Sequence, residues 1–273
     1  MNRVERQLLI LRRLKVGAAI SVAELCKTCE TSEMTIRRDL AEMDRAGLVR
    51  RVHGGAMLPD GRASEPPLVL RAAQDQAVKA ALAARALEFV HDGDCIALDV
   101  GTTVLALAAL LDTRRGLTVI TASLPIAQEV IKAGMHGRSH RLIVTGGEAR
   151  PGELSMVGDL AQRAYRELHV DKAFVGIGGV SLEDGLTEYN LEDALVKREL
   201  LHSANQVYLL ADSSKFGRTT FASVGRIDQV SAFITDSMVA PEMIREITAL
   251  GSSVYTVDRD DPVSIPAREK REH

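Results

Sequence analysis

The chain has no tryptophan, and its five phenylalanines and four tyrosines make up only 3% of 273 residues. Single-strand nucleic-acid binding on stacked aromatic rings therefore has no platform here. Cysteines number three, Cys26, Cys29 and Cys95. So small and odd a count builds no disulfide framework and fits reduced thiols and a cytoplasmic address. Cys26 and Cys29 have metal-ligand spacing, but they fall on one expected helix and no second pair follows. A structural zinc site needs four ligands, so core packing is the simpler expectation and no metal is expected. The longest purely apolar run, residues 104–111, is far short of the ~18 residues that a membrane span needs. The opening Met-Asn-Arg-Val-Glu-Arg has no apolar stretch of the signal-peptide kind.

What is present is enough for a full core: 46% hydrophobic and 26% charged residues. The net charge of −3 hides an asymmetry. Residues 1–58 carry eleven Lys/Arg against seven Asp/Glu, so a basic head precedes an acidic body. Such a head suits a polyanionic partner. Residues 59–67 are polar with three prolines and cannot continue a helix or central strand. The expected organisation is a head over 1–58, a linker over 59–70, a larger domain over 71–258 and a frayed tail over 259–273.

The head reads as three helices and a hairpin. Val4, Leu8, Leu11 and Leu14 share one face of a first helix, which Gly17 ends. Ser21 and Glu24 form a capping box for a second helix, with Val22, Leu25, Cys26 and Cys29 as its apolar stripe. Thr31 and Ser32 can cap a third, whose inward face is Ile36, Leu40 and Met43 and which Gly47 stops. Residues 48–52 and 56–58 then make strands around a turn at His53, Gly54 and Gly55. This is the winged form of the helix-turn-helix. With Ile36 inward, Met34, Arg38 and Arg45 point outward, and Thr35 and Arg37 flank them. Short polar groups and guanidiniums at a helix start suit a helix entering the DNA major groove. Ser32 joins that set, and Arg50, Arg51 and His53 put cations on the wing.

The body alternates short apolar runs with helical patterns: 95–98, 117–120, 141–144, 172–175, 206–210, 232–234 and 253–257, after a helical stretch over about 70–91. That alternation predicts an α/β domain with a largely parallel sheet. Small and charged residues cluster where the strands should end: Asp99, Gly101, Thr102 and Thr103; Gly146 and Gly147; Gly178 and Gly179; and Lys215 in Ala-Asp-Ser-Ser-Lys. Ligands of open α/β sheets bind at the carboxyl ends of strands. Gly-Thr-Thr at a helix start offers amides and hydroxyls to a phosphate, and Lys215 adds a point charge. Asp99 and Asp171 can accept from sugar hydroxyls. No Gly-x₄-Gly-Lys-Ser/Thr occurs and Gly-x-Gly-x-x-Gly is incomplete, so no nucleotide cofactor is expected.

These motifs resemble the DeoR family of bacterial transcriptional repressors. In the head the likeness runs through Ser32-Glu-Met-Thr-Ile-Arg-Arg-Asp-Leu40 and Gly47-Leu-Val-Arg-Arg-Val-His-Gly-Gly-Ala56. In the body it runs through Asp99-Val-Gly-Thr-Thr103, Val144-Thr-Gly-Gly147, Asp171-Lys-Ala-Phe-Val-Gly176, Asn190-Leu-Glu192, Val196-Lys-Arg198 and Ala211-Asp-Ser-Ser-Lys-Phe-Gly217. It spans about 3–257. The resemblance implies a two-domain protein, a small α+β winged helix-turn-helix head and a larger α/β sensor domain resembling ribose-5-phosphate isomerase. It implies a repressor of a carbohydrate-catabolism operon, released from double-stranded operator DNA by a phosphorylated sugar or polyol. In some relatives the ligand instead favours DNA binding. On that analogy Gly101, Thr102 and Thr103 hold phosphate, Lys215 lies near sugar or phosphate, and Asp171, Glu188 or Glu192 line the cavity, with Lys79 a further candidate. The isomerase's acidic motif after the fourth strand is replaced here by Gly176-Ile-Gly-Gly179, so the domain reads as a binder without turnover. A homo-oligomer, dimer or tetramer, is expected to read paired half-sites. The alternatives are a sugar-phosphate isomerase with an accessory head, and a general nucleoid-binding protein, which the acidic body disfavours.

Overall fold

The computed structural model describes residues 1–14, 18–45, 48–59, 61–135, 139–150 and 152–258. Gly17, Gly47 and the 259–273 tail lie outside the described residues, as does the side chain of Val4. The chain divides into two compact units, Met1–Gln74 and Asp75–His273.

In the first unit, α1 (Arg3–Arg13), β1 (Ile20–Ser21), α2 (Val22–Cys29) and α3 (Glu33–Arg45) precede the hairpin β2 (Arg50–Val52) and β3 (Gly55–Met57), and α4 (Leu68–Ala73) closes it. The Ser21–Glu24 capping box forms in both directions. Ile10, Leu25, Ile36, Leu40 and Met43 fill the core, and Cys29 is buried among them. The hairpin is one strand wider than the hydrophobic pattern predicts. The two residues of β1 pair with β3 to give the order β1-β3-β2. A Cβ on Gly55 would lie 2.1 Å from the Ile20 carbonyl oxygen, so only glycine fits beneath that strand. The expected boundary also moves. Residues 68–73 form α4 inside the first unit, so the larger unit starts at Asp75 rather than at 71. The helical stretch over 70–91 is accordingly broken. Asp75, in the left-handed region at φ 47°, separates α4 from α5 (Gln76–Leu87).

The second unit continues with β4 (Cys95–Leu98), α6 (Thr102–Ala108), β5 (Thr118–Thr121), α7 (Leu124–Met135), β6 (Arg141–Val144), the hairpin β7 (Glu148–Arg150) and β8 (Ser155–Val157), and α8 (Asp159–Arg166). Then come β9 (Val170–Val175), β10 (Gly179–Ser181), β11 (Gly185–Glu188), α9 (Leu191–Ser203), β12 (Ala204–Leu210), β13 (Ala222–Gly225), β14 (Ala232–Asp236), α10 (Pro241–Ala249) and β15 (Ser253–Val257). All seven expected runs pair in parallel in one sheet of order β15-β14-β12-β9-β4-β5-β6. Side chains alternate between its faces. Ile96, Leu98 and Phe174 pack with Leu82, Val104 and Leu107, while Ala97, Ala173 and Val175 pack with Tyr165, Ala194 and Leu200. From β4 the chain adds β5 and β6 on one side and then crosses back to β9, so the strand order reverses between β4 and β9. That is the place where open α/β sheets leave a crevice at the strand ends.

Candidate functional site

In the head, the first two turns of α3 turn Glu33, Met34, Arg37 and Arg38 to solvent, with Met34 81% exposed. Thr35 is half-buried; its amide donates to Ser32 Oγ at 3.3 Å, and the two hydroxyls lie 2.9 Å apart. Ser32 and Thr35 thus cap the helix start. Arg45 bends back onto the Ala41 carbonyl. Arg50, Arg51 and His53 are exposed on the wing. Between wing and helix lies a groove of about 430 Å³, lined by Arg37, Arg51, His53, Ser21 and Glu33 among others.

An ion pair absent from the sequence-based expectation fixes the aim of α3. Arg6 of α1 grips the Asp39 carboxylate with two nitrogens, and Asp39 is buried. The hydrogen bond to Asp39 raises the Arg6 pKa further. The signal was an acid at position i+3 from Ile36 and next to Leu40, on a face that should be apolar. Burial pushes the Cys29 thiol up, as befits a core residue.

In the larger unit the carboxyl ends of the strands gather charge. Lys197 of α9 donates to the Asp99 carboxylate and, at 3.1 Å, to the Gly176 carbonyl, and its Nζ lies 3.5 Å from Glu188 Oε2. Asp99 also accepts from the Gly176 amide at 3.0 Å, which bolts β4 to β9 across the switch point. All three side chains are buried. Burial pushes the Asp99 carboxyl up, and Lys197 opposes that shift. One turn earlier on α9, Asp193 pairs with Arg150 at the end of β7 and lies 3.5 Å from Ser155 Oγ. Lys197 stands in the quoted Val-Lys-Arg motif, yet sequence reasoning assigned it no role; a lysine four residues after an acid on an otherwise apolar helix face was the available signal.

Gly101, at φ 120°, precedes α6, and no side chain caps that helix start. A Cβ there would meet open space, and Gly101, Thr102 and Thr103 are half-buried. Lys215 is half-buried in the 3-10 turn Ser213–Lys215 after β12, and Lys79 is buried on α5. Several expected site residues stand elsewhere. Asp171 is the second residue of β9, at the amino ends of the strands, where it accepts from the Cys95 amide at 2.8 Å; it stands away from a cleft at the carboxyl ends. Glu192 is exposed, and the acid that enters the interior is its neighbour Asp193. Gly178 and Gly179 are buried for packing reasons. A Cβ on Gly178 would lie 2.8 Å from Glu188 Oε1, and one on Gly179 would lie 2.4 Å from the Arg218 carbonyl oxygen. Gly147, at φ 140°, leaves room for the Val157 carbonyl, while Gly146 beside it is exposed. No helix among the described residues is long and apolar enough to cross a membrane.

Comparison with known proteins agrees with this division. The DeoR-like helix-turn-helix domain matches residues 6–62, and the DeoR C-terminal sensor domain matches residues 74–237. The chain is 33% identical to the HTH-type transcriptional regulator YulB of Bacillus subtilis, over 89% of this chain and 92% of that protein. It is 29% identical to the glycerol-3-phosphate regulon repressor of Escherichia coli, over 91% of this chain and 96% of that one. Among solved structures, ribose 5-phosphate isomerase A from Methanocaldococcus jannaschii is 19% identical with a TM-score of 0.39, covering 52% of this chain and 55% of that chain. The isomerase alternative gives way, because the matches along both units are to regulators. The chain belongs to the DeoR family of helix-turn-helix transcriptional regulators, with a DNA-binding head and a small-molecule sensor domain.

Proposed function

We propose that the protein is a cytoplasmic repressor of a carbohydrate-catabolism operon, and that a phosphorylated sugar or polyol releases it from its operator. The observation that carries this reading is the junction of β4 and α6. Gly101 opens the backbone, Thr102 and Thr103 offer hydroxyls, and the helix start lacks a side-chain cap. That arrangement accepts an oxyanion. Similarity to a glycerol-3-phosphate regulon repressor supports a phosphorylated polyol or sugar as the ligand class. Lys215 supplies charge at the end of β12, and Glu188 and Asp99 hold Lys197 at the floor. In the head, Arg38 and the wing cations Arg50, Arg51 and His53 take the duplex, with Met34 and Arg37 beside them on α3. A homo-oligomer presents two such heads to paired half-sites.

The ligand acts only through its different affinity for the DNA-competent and DNA-incompetent states. The experiment is a gel-shift series on the DNA upstream of the protein's own operon, with glycerol 3-phosphate, fructose phosphates, tagatose phosphates and deoxyribose phosphate. Release by one of them, with no effect of the unphosphorylated sugar, is the expected result. A set of phosphates that all leave the shift unchanged overturns the sensor half of the reading.

A further inference from the structure

The two arginines at the front of α3 are not equivalent. Arg38 is 80% exposed and reaches Glu42 only at 3.6 Å; Glu42 is shared with Arg3 at 3.2 Å. Arg37 instead donates to Glu33 Oε1 at 2.6 Å, one helical turn back. Both of these partners stand in solvent, at 65% and 60% exposure, so their pairing adds little to folding. Glu33 is also the single carboxylate among the described residues that line the groove between α3 and the wing, where Arg37, Arg51 and His53 supply the cations. The order, acid four residues before base at a helix start, is the favourable one for both the pair and the helix dipole. Arg37 therefore meets a duplex already neutralised. Any phosphate that takes Arg37 must displace Glu33 and then stand close to a carboxylate.

We propose that Glu33 is a specificity-determining residue. It withholds Arg37 from the phosphates of arbitrary DNA and releases it only where the base sequence supplies compensating contacts. This rests on the reading of α3 as the DNA-contacting helix. It adds that the head is tuned by an acid as well as by its bases, because discrimination is the ratio of specific to non-specific affinity.

The test compares the full-length protein with E33Q on two duplexes, one of mixed sequence and one selected by the parent protein from a randomised pool. On the mixed duplex, E33Q should bind about three- to tenfold more tightly at low salt. Its log–log salt slope should steepen by about 0.9, the mark of one more phosphate neutralised. On the selected duplex the gain should be smaller, so the ratio falls. Adding R37Q should abolish the gain in E33Q while R37Q alone costs the parent little on mixed DNA. Unchanged or weaker binding of E33Q to the mixed duplex overturns the inference, and so does an equal gain on both duplexes. A parent protein with no salt-dependent binding to either duplex fails at the earlier step and removes the DNA-binding reading itself.

Discussion

Asp193 and Lys197 lie one turn apart on the same buried face of α9, and each holds an opposite charge delivered by a different part of the chain. Arg150 comes from β7 to the first; Asp99 and Glu188 come from the ends of β4 and β11 to the second. A single helix thus ties together the hairpin, the switch point and the three-stranded antiparallel sheet β10-β11-β13. Removing one member of such a buried set leaves its partners without compensation.

Lys197→Met should therefore destabilise the larger unit by about 3–5 kcal/mol. All four tyrosines, Tyr165, Tyr189, Tyr208 and Tyr255, lie in that unit, so intrinsic tyrosine fluorescence during urea unfolding follows it alone. Replacing Asp99 by Asn and Glu188 by Gln alongside Lys197→Met should recover part of the loss. A midpoint unmoved by Lys197→Met would show that the charges are held without contributing.

Thr102→Val and Lys215→Ala should leave DNA affinity intact and weaken the response to the releasing sugar phosphate. Loss of one hydrogen bond to a charged group is worth about 1.5–3 kcal/mol, or roughly ten- to a hundredfold in ligand concentration. Titration of the gel shift with ligand measures it. Normal midpoints in both variants would place the anion site away from β4 and β12.

Arg38→Ala removes the less restrained arginine of α3. Operator binding should weaken by about 1–3 kcal/mol while the circular dichroism spectrum stays that of the parent. Fluorescence anisotropy with a labelled duplex supplies the measurement, and undiminished affinity would mean that another face meets DNA.

Glu30, between α2 and α3, sits in the left-handed region at φ 48° and caps α2 there. Glycine adopts that conformation without strain, so Glu30→Gly should stabilise the head by about 0.5–1 kcal/mol, the relief of strain exceeding the entropy given to the unfolded chain. Slower hydrogen exchange in peptides from α2 and α3 would record it; faster exchange would contradict it.

The parallel sheet was legible because its central strands hold short apolar runs, such as residues 96–98, 173–175 and 207–210, which are buried between helices on both faces. The strands β7, β8, β10, β11 and β13 were not, since they hold charge or glycine where an apolar run would show, as Glu148 and Arg150 do in β7, Gly179 in β10 and Gly185 in β11. Gly101, Thr102 and Thr103 are explicit in the sequence and stand together at the start of α6, where the anion site is proposed. Other expected positions were misplaced where topology decides. Asp171 lies only five residues before Gly176 in sequence, but the length of β9 separates them and puts them at opposite ends of that strand. The choice between Glu192 and Asp193 depends on the rotation of α9, which its neighbours set. The packing duties of Gly178 and Gly179 depend on Glu188 and on the Arg218 backbone, which arrive from later in the chain.

The placement of β4 beside β9 has a consequence for synthesis on the ribosome. Ile96 has its partner Lys172 only after the β5 to α8 segment has been made, so the centre of the large sheet stays half-built through most of translation. The contacts of α1 to α4, by contrast, close within the first emerging stretch. A nascent chain therefore acquires its DNA-binding head well before its sensor domain is complete.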